Sequence, residues 1–304
     1  MSQVRGRQVR LYLVDGTASG IVTAEIVNWT GIVIAAPRDR LIDVMSREDA
    51  RRTGVYFLFG DVTQVGALRD VYVGEADDVG KRINQHAKAD GKDFFERFCV
   101  IVSKDFNLTK AHSRYLESRL TEIARSAGRS SVLNANEPPS GRLPEADISD
   151  MEFFLDQVQI VLPVLGFDTL KPALSTSSNK SSGRAIDEGL KLYLRKGKMG
   201  MEAKAIQING ETVVLSGSKA KLDPEYALNQ YGDLRETLIQ NGTLVERDGW
   251  LVLTKNHAFS SPSAASAVLY GRNDNGRTSW IVEATGQTLK EYEAVAAEKG
   301  DLTP

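Results

Sequence analysis

The apolar positions of the first half of the chain come largely in short runs that read as strands. Val9 to Val14 ends at the turn Asp15-Gly16, and Gly31 to Ala36 ends at Pro37. Gly54-Val55-Tyr56-Phe57-Leu58-Phe59 forms a third run, followed by a glycine-rich loop from Gly60 to Gly66 and a strand at Asp70-Val71-Tyr72-Val73-Gly74. These last two runs pair most simply as a hairpin with a long loop. Phe98 to Ser103 is a further strand, and Cys99 within it reads as a small buried hydrophobe. Helical spacing takes over between the strands. Residues 38–52 predict a helix with Ser46 as an N-cap, Asp77-Asp78 caps a helix to about Ala89, and Thr109 caps a longer one stopped by Gly128. Val132 to Gly141 reads as an Asn- and Pro-rich loop, and Asp147 to Leu165 as an apolar helix.

Residues 171–184 break the pattern, being rich in Ser and poor in apolar side chains, and predict a flexible linker. Beyond it, 185–304 predicts a mixed α+β domain with strands at Lys191–Leu194, Thr212–Leu215 and Trp250–Leu253 and a helix near Pro224–Gln240. Ser261 or Ser263 beside Pro262 starts a short helix over Ala264–Leu269, and Asn275-Gly276 turns into a strand containing Trp280. The chain thus divides into a leader (1–50), a domain over 51–170, the linker, and the C-terminal domain. The fold class is α+β, with no internal repeat.

Three placements do not fit a plain core. At about 100° per residue, Val79, Arg82, Ile83 and His86 share one stripe, and a buried Arg or His is costly without a partner. Glu117 borders the apolar stripe of Leu116, Leu120, Ile123 and Ala127, whereas His112 lies near its middle and reads as a satisfied core histidine. Tyr56 and Tyr72 sit on neighbouring strands, where tyrosines are most often core or rim residues. By themselves these features reach only a soluble α/β protein. Net charge is −2, so any affinity for nucleic acid must come from a local patch.

Taken in order, the residues carry more. Gly54-Val55-Tyr56, Tyr72-Val73-Gly74, Arg82 ten residues after Tyr72, His86 four later, then Glu117 and Asn134 or Asn136, resemble the signature of the GIY-YIG nucleases over residues 54–136. Valine replaces isoleucine at 55 and 73, which keeps a β-branched apolar side chain. Asn134 is preferred for its place after Val132-Leu133. The resemblance implies a small three-stranded antiparallel sheet flanked by helices, on which Tyr56, Tyr72, Arg82, His86 and Glu117 converge. Gly54 and Gly74 are its structural glycines. It implies hydrolysis of DNA phosphodiester bonds to 5′-phosphate and 3′-hydroxyl ends with one Mg²⁺ or Mn²⁺. Glu117 would hold the metal, Arg82 would contact the phosphate, and Tyr56 would act as general base or position the water. Tyr72 would orient that water, His86 would assist proton transfer, and Asn134 would brace the site. A tyrosine base, with a reference pKa of about 10, needs a cationic neighbour.

Other features add less. Lys81, Lys88, Lys92, Arg97, Lys104 and Lys110 could line a phosphate track, though scattered lysines usually form a solvated face. Glu75, Asp77 and Asp78 could form a second carboxylate site, with helix capping the better account of the aspartates. The Ser-Pro-Ser-Ala-Ala pattern at 261–265 with Asn275-Gly276 and Trp280 is similar to an uncharacterised module associated with restriction enzymes and adenine methylases, which implies DNA targeting. Core and cap roles would explain the same residues. No apolar run approaches the ~20 residues of a membrane span, and one cysteine with no signal-like N-terminus predicts a cytoplasmic protein. DNA is the expected partner. One such site cuts one strand, so a double-strand break needs a homodimer or two nicks. The competing expectation is a catalytically silent DNA-binding protein on the same scaffold.

Overall fold

The computed structural model describes residues 6–61, 68–88, 94–135, 143–171, 189–196, 200–208, 210–223 and 231–300. They form two compact units that divide between Pro172 and Ala173, and both mix helices with sheets.

The first unit is built on a seven-stranded sheet. Its elements are β1 (Val9–Leu13), β2 (Val22–Ile26), β3 (Gly31–Pro37), α1 (Leu41–Ser46), β4 (Gly54–Gly60), β5 (Arg69–Ala76), α2 (Val79–Lys88), β6 (Phe95–Ser103), α3 (Lys110–Ala127), β7 (Ser130–Val132) and α4 (Glu145–Val164). The strand order is β1-β2-β3-β6-β4-β5-β7, antiparallel except where β7 runs parallel to β5. The unbroken apolar runs follow from burial on both faces. Val55, Phe57 and Phe59 of β4, with Cys99 and Ile101 of β6, pack under α3 and α4. Tyr56 and Leu58, with Phe98, Val100 and Val102, pack under α1 and α2. Each such side chain contributes about 1.5–3 kcal/mol by leaving water.

Several expectations change. The three strands implied by the nuclease resemblance are present as β6-β4-β5, but as the middle of the larger sheet. Residues 9–37 are no separate leader, because β3 pairs along its whole length with β6, from Gly31↔Ser103 to Pro37↔Arg97. The helix expected over 38–52 is broken into two 3₁₀ turns around α1. Ser46 ends α1 rather than capping a helix, since its hydroxyl donates to the carbonyl of Asp43 (2.6 Å) and Arg47 turns extended. The hydroxyl of Thr109 does cap α3, and Gly128 ends it in the left-handed region at φ 62°. Cys99 is fully buried, and burial pushes its thiol far up, so it is no nucleophile.

The second unit comprises β8 (Leu190–Lys196), β9 (Met201–Ile208), β10 (Glu211–Val214), β11 (Lys219–Lys221), α5 (Gly232–Gln240), β12 (Leu244–Arg247), β13 (Trp250–Leu253), β14 (His257–Phe259), α6 (Pro262–Tyr270), α7 (Gly276–Ser279), β15 (Ile281–Val282) and α8 (Leu289–Gly300). Its sheets run β14-β10-β9-β8-β15 and β11-β13-β12, all antiparallel. Ser261 caps α6, with Pro262 in its first turn. Trp280 is not in a strand: Asn275 caps α7, Trp280 closes it, and the indole donates to the carbonyl of Pro262 (3.0 Å). The loop over 62–66, the linker from residue 172 on, the helix start at Pro224, Lys92 and Asn136 lie outside the described residues.

Candidate functional site

The pairing of β4 with β5 sets Tyr56 opposite Gly74 and Leu58 opposite Tyr72. Tyr56 lies across the backbone at Gly74, where a Cβ would stand 2.3 Å from its Cζ and Oη. Only glycine leaves room for the ring. Gly54 is constrained in the same way, because a Cβ there would stand 2.4 Å from the carbonyl oxygen of Ile101.

Asp78 begins α2 by accepting from the backbone N–H of Lys81 (2.9 Å). Helical spacing then turns Val79, Ile83 and His86 inward. The Tyr56 hydroxyl and His86 Nε2 are 2.8 Å apart, both residues being buried. Tyr72 completes a three-ring cluster, with centroids 6.3 Å from Tyr56 and 5.7 Å from His86. Arg82 departs from the expected buried stripe. It sits at the stripe's exposed border, with Nη1 donating to Gln85 Oε1 (3.2 Å), because a guanidinium at the border stays hydrated.

Arg82 and Glu117 act electrostatically on the phenols of this cluster. Burial drives the Tyr56 hydroxyl far above its ordinary range, and negative charge on Tyr72 or Glu117 adds to the rise. Arg82, by charge and by hydrogen bond, opposes it. Tyr72 is raised by burial and then by Glu117, again with Arg82 opposing. Tyr56, Tyr72 and His86 thus meet between β4, β5 and α2, and the charges of Arg82 on α2 and Glu117 on α3 act on the two phenols. Burial thus opposes ionisation of the Tyr56 phenol.

Asn134 is elsewhere in this arrangement. Its side-chain amide donates to the carbonyl of Val73 (2.8 Å), and its Oδ1 accepts from the N–H of Val73 (3.0 Å). It thus prolongs the short β5–β7 ladder by one side chain and holds the segment between Tyr72 and Gly74. His112, expected in the core, instead belongs to the α3 cap. Its Nδ1 accepts from the N–H of Thr109 (3.2 Å), and its backbone N–H donates to the Thr109 hydroxyl (3.3 Å).

Glu75 was missed as a contact of α3. It accepts from the Ser113 hydroxyl (3.1 Å) and pairs with Lys110 (2.7 Å). Its position one residue after Gly74 was visible, but the approach of α3 was not. Lys110 also reaches Asp77 (3.4 Å), so two carboxylates balance its charge. Lys81 and Lys88 are exposed on α2. Among the described residues, no group of three or more His, Cys, Asp or Glu side chains could cage a metal ion.

Residues 192–293 match a family described as a domain of unknown function (DUF4357). The C-terminal unit is thus an uncharacterised domain, spanning β8 to α8. No curated protein and no solved structure matches the chain. Among the described residues, no helix is long and apolar enough to cross a membrane.

Proposed function

We propose that the first unit is a metal-dependent endonuclease that hydrolyses DNA phosphodiester bonds to 5′-phosphate and 3′-hydroxyl ends. The observation that carries this reading is the buried contact of Tyr56 with His86, with Arg82 and Glu117 acting on the same phenol. The GIY-YIG resemblance over residues 54–136 supplies the reaction class.

The residues divide the work by their chemistry. With the imidazole proton on Nδ1, Tyr56 donates to His86 Nε2. As the attacking water loses a proton to the Tyr56 oxygen, the Tyr56 proton passes to Nε2, so His86 is the final acceptor. This relay removes the need for a free phenolate. Arg82 neutralises charge gathering on the phosphate. Tyr72 orients the water.

A divalent cation fits the donor set. The charge of one carboxylate, Glu117, acts on both phenols, and Mg²⁺ takes few protein carboxylates while keeping several waters. Bound at Glu117, Mg²⁺ or Mn²⁺ would supply Lewis-acid stabilisation of the leaving oxygen. It would also offset the negative charge that raises both phenols. The lone buried thiol of Cys99 suits a reducing, cytoplasmic setting. A double-strand break would require a homodimer or two nicks.

Nicking of supercoiled plasmid tests the reading, with Mg²⁺ or Mn²⁺ and then with EDTA. The wild type should nick only with metal, and Glu117→Ala and Tyr56→Phe should each lose about 10²–10⁴-fold. Nicking unchanged in Glu117→Ala would sink the assignment. A wild type that shifts DNA in a gel without cutting it would favour the silent DNA-binding scaffold.

A further inference from the structure

The three-stranded sheet of the C-terminal unit has one buried face and one outward face. Ala220, Leu244, Leu251 and Leu253 take the inner face and are buried. The register places Lys219, Val252 and Val245 on one outward rung, and Lys221, Trp250 and Arg247 on the next. That face therefore carries three cations, one indole, two valines and no carboxylate. The Lys219 ammonium lies 5.8 Å from the centre of the Trp250 ring. The chain has three tryptophans. Trp29 and Trp280 are 4% and 0% exposed, whereas Trp250 is partly exposed.

Inner-face leucines are enough to hold this sheet. An indole left partly in water forgoes part of its burial, and the register sets Lys219 and Arg247 on adjacent rungs, so like charge gathers beside the ring. That charge attracts a polyanion, and an unpaired base has a π-face for the indole that a stacked base pair hides. We propose that this face binds single-stranded nucleic acid, with phosphates against Lys219, Lys221 and Arg247 and a base stacked on Trp250. The binding does not rest on the nuclease reading, and it can be measured where no cleavage occurs.

Intrinsic fluorescence of the full chain in EDTA provides the test, because Trp29 and Trp280 are buried and Trp250 is partly exposed. Oligo(dT) or oligo(rU) should quench part of the emission, and the stronger of the two tells whether DNA or RNA is preferred. Trp250→Phe should abolish that quenching, and Trp250→Ala should weaken binding about tenfold in a gel shift. Arg247→Glu, at an exposed side chain, should leave the melting temperature unchanged, weaken binding, and lower the log–log salt slope by about 0.7. Three results would each overturn the proposal. These are wild-type affinity in Trp250→Ala, equal affinity for polyglutamate of matched charge, or tighter binding of duplex than of single strand.

Discussion

At the scale of single residues, burial governs the chemistry of Tyr56. Its phenol resists ionisation in the folded chain, whereas in the unfolded chain it titrates near pH 10. Below pH 10 both states are neutral and stability is unaffected. Above it the unfolded state gives up a proton that the folded state keeps, so stability falls as pH rises. The loss approaches about 1.4 kcal/mol per pH unit above 10. Urea melts at pH 9 and pH 11 should show that extra loss in the wild type and its reduction in Tyr56→Phe. The comparison with Tyr56→Phe is needed because Cys99 titrates in the same direction. Gly74 offers a second test at this scale. Gly74→Ala forces a Cβ into the Tyr56 ring, so about 1–3 kcal/mol of stability should go. Nicking should fall further than the melting curve explains, because the ring that moves is the one bonded to His86. The spacing of Tyr56, Tyr72, Arg82, His86 and Glu117 made these residues legible as candidates. Their protonation was not legible, since desolvation depends on what packs around a ring.

At the scale of elements, β7 is only three residues long, and Asn134 extends its grip on β5. Asn134→Ala would leave the buried N–H and C=O of Val73 without those partners. Each orphaned group costs about 1–3 kcal/mol. The expected result is a lowered melting temperature together with faster amide exchange at Val73. A drop in nicking with unchanged stability and exchange would instead place Asn134 among the reacting groups. The caps of α2 and α3 were readable because an Asp or Thr before a helical run acts on neighbours two or three residues away. The interruptions of the 38–52 helix were not readable, because they serve the path of the chain into β4 rather than any local preference.

At the scale of the whole molecule, β1–β3, within residues 9–37, extend the sheet beyond β6. Ala24, Ile26, Val33 and Ala35 belong to the same core as Phe57 and Ile101. A chain lacking residues 1–50 would expose the edge of β6 and that core, inviting edge-to-edge association. Light scattering and calorimetry should find it aggregated, without a cooperative transition. A soluble, cooperatively melting 51–304 fragment would show that β1–β3 are dispensable. The two units also differ in what their sequences convey. The first has a spacing that points to a reaction. The second yields its most specific feature only when three strands come together.

By itself, the sequence determined what short-range physics controls: the α+β class, the buried character of β4, most helix starts and stops, and the order of the candidate site residues. Tertiary structure alone decided that β3 joins β6, some 70 residues further on, that Arg82 lies at an exposed border, that Lys110 is neutralised by Glu75 and Asp77, and that Lys219, Arg247 and Trp250 share a face. The division has one cause. Periodicity and capping act over a few residues, whereas strand pairing, desolvation and ion pairing depend on partners that only the folded chain brings within reach.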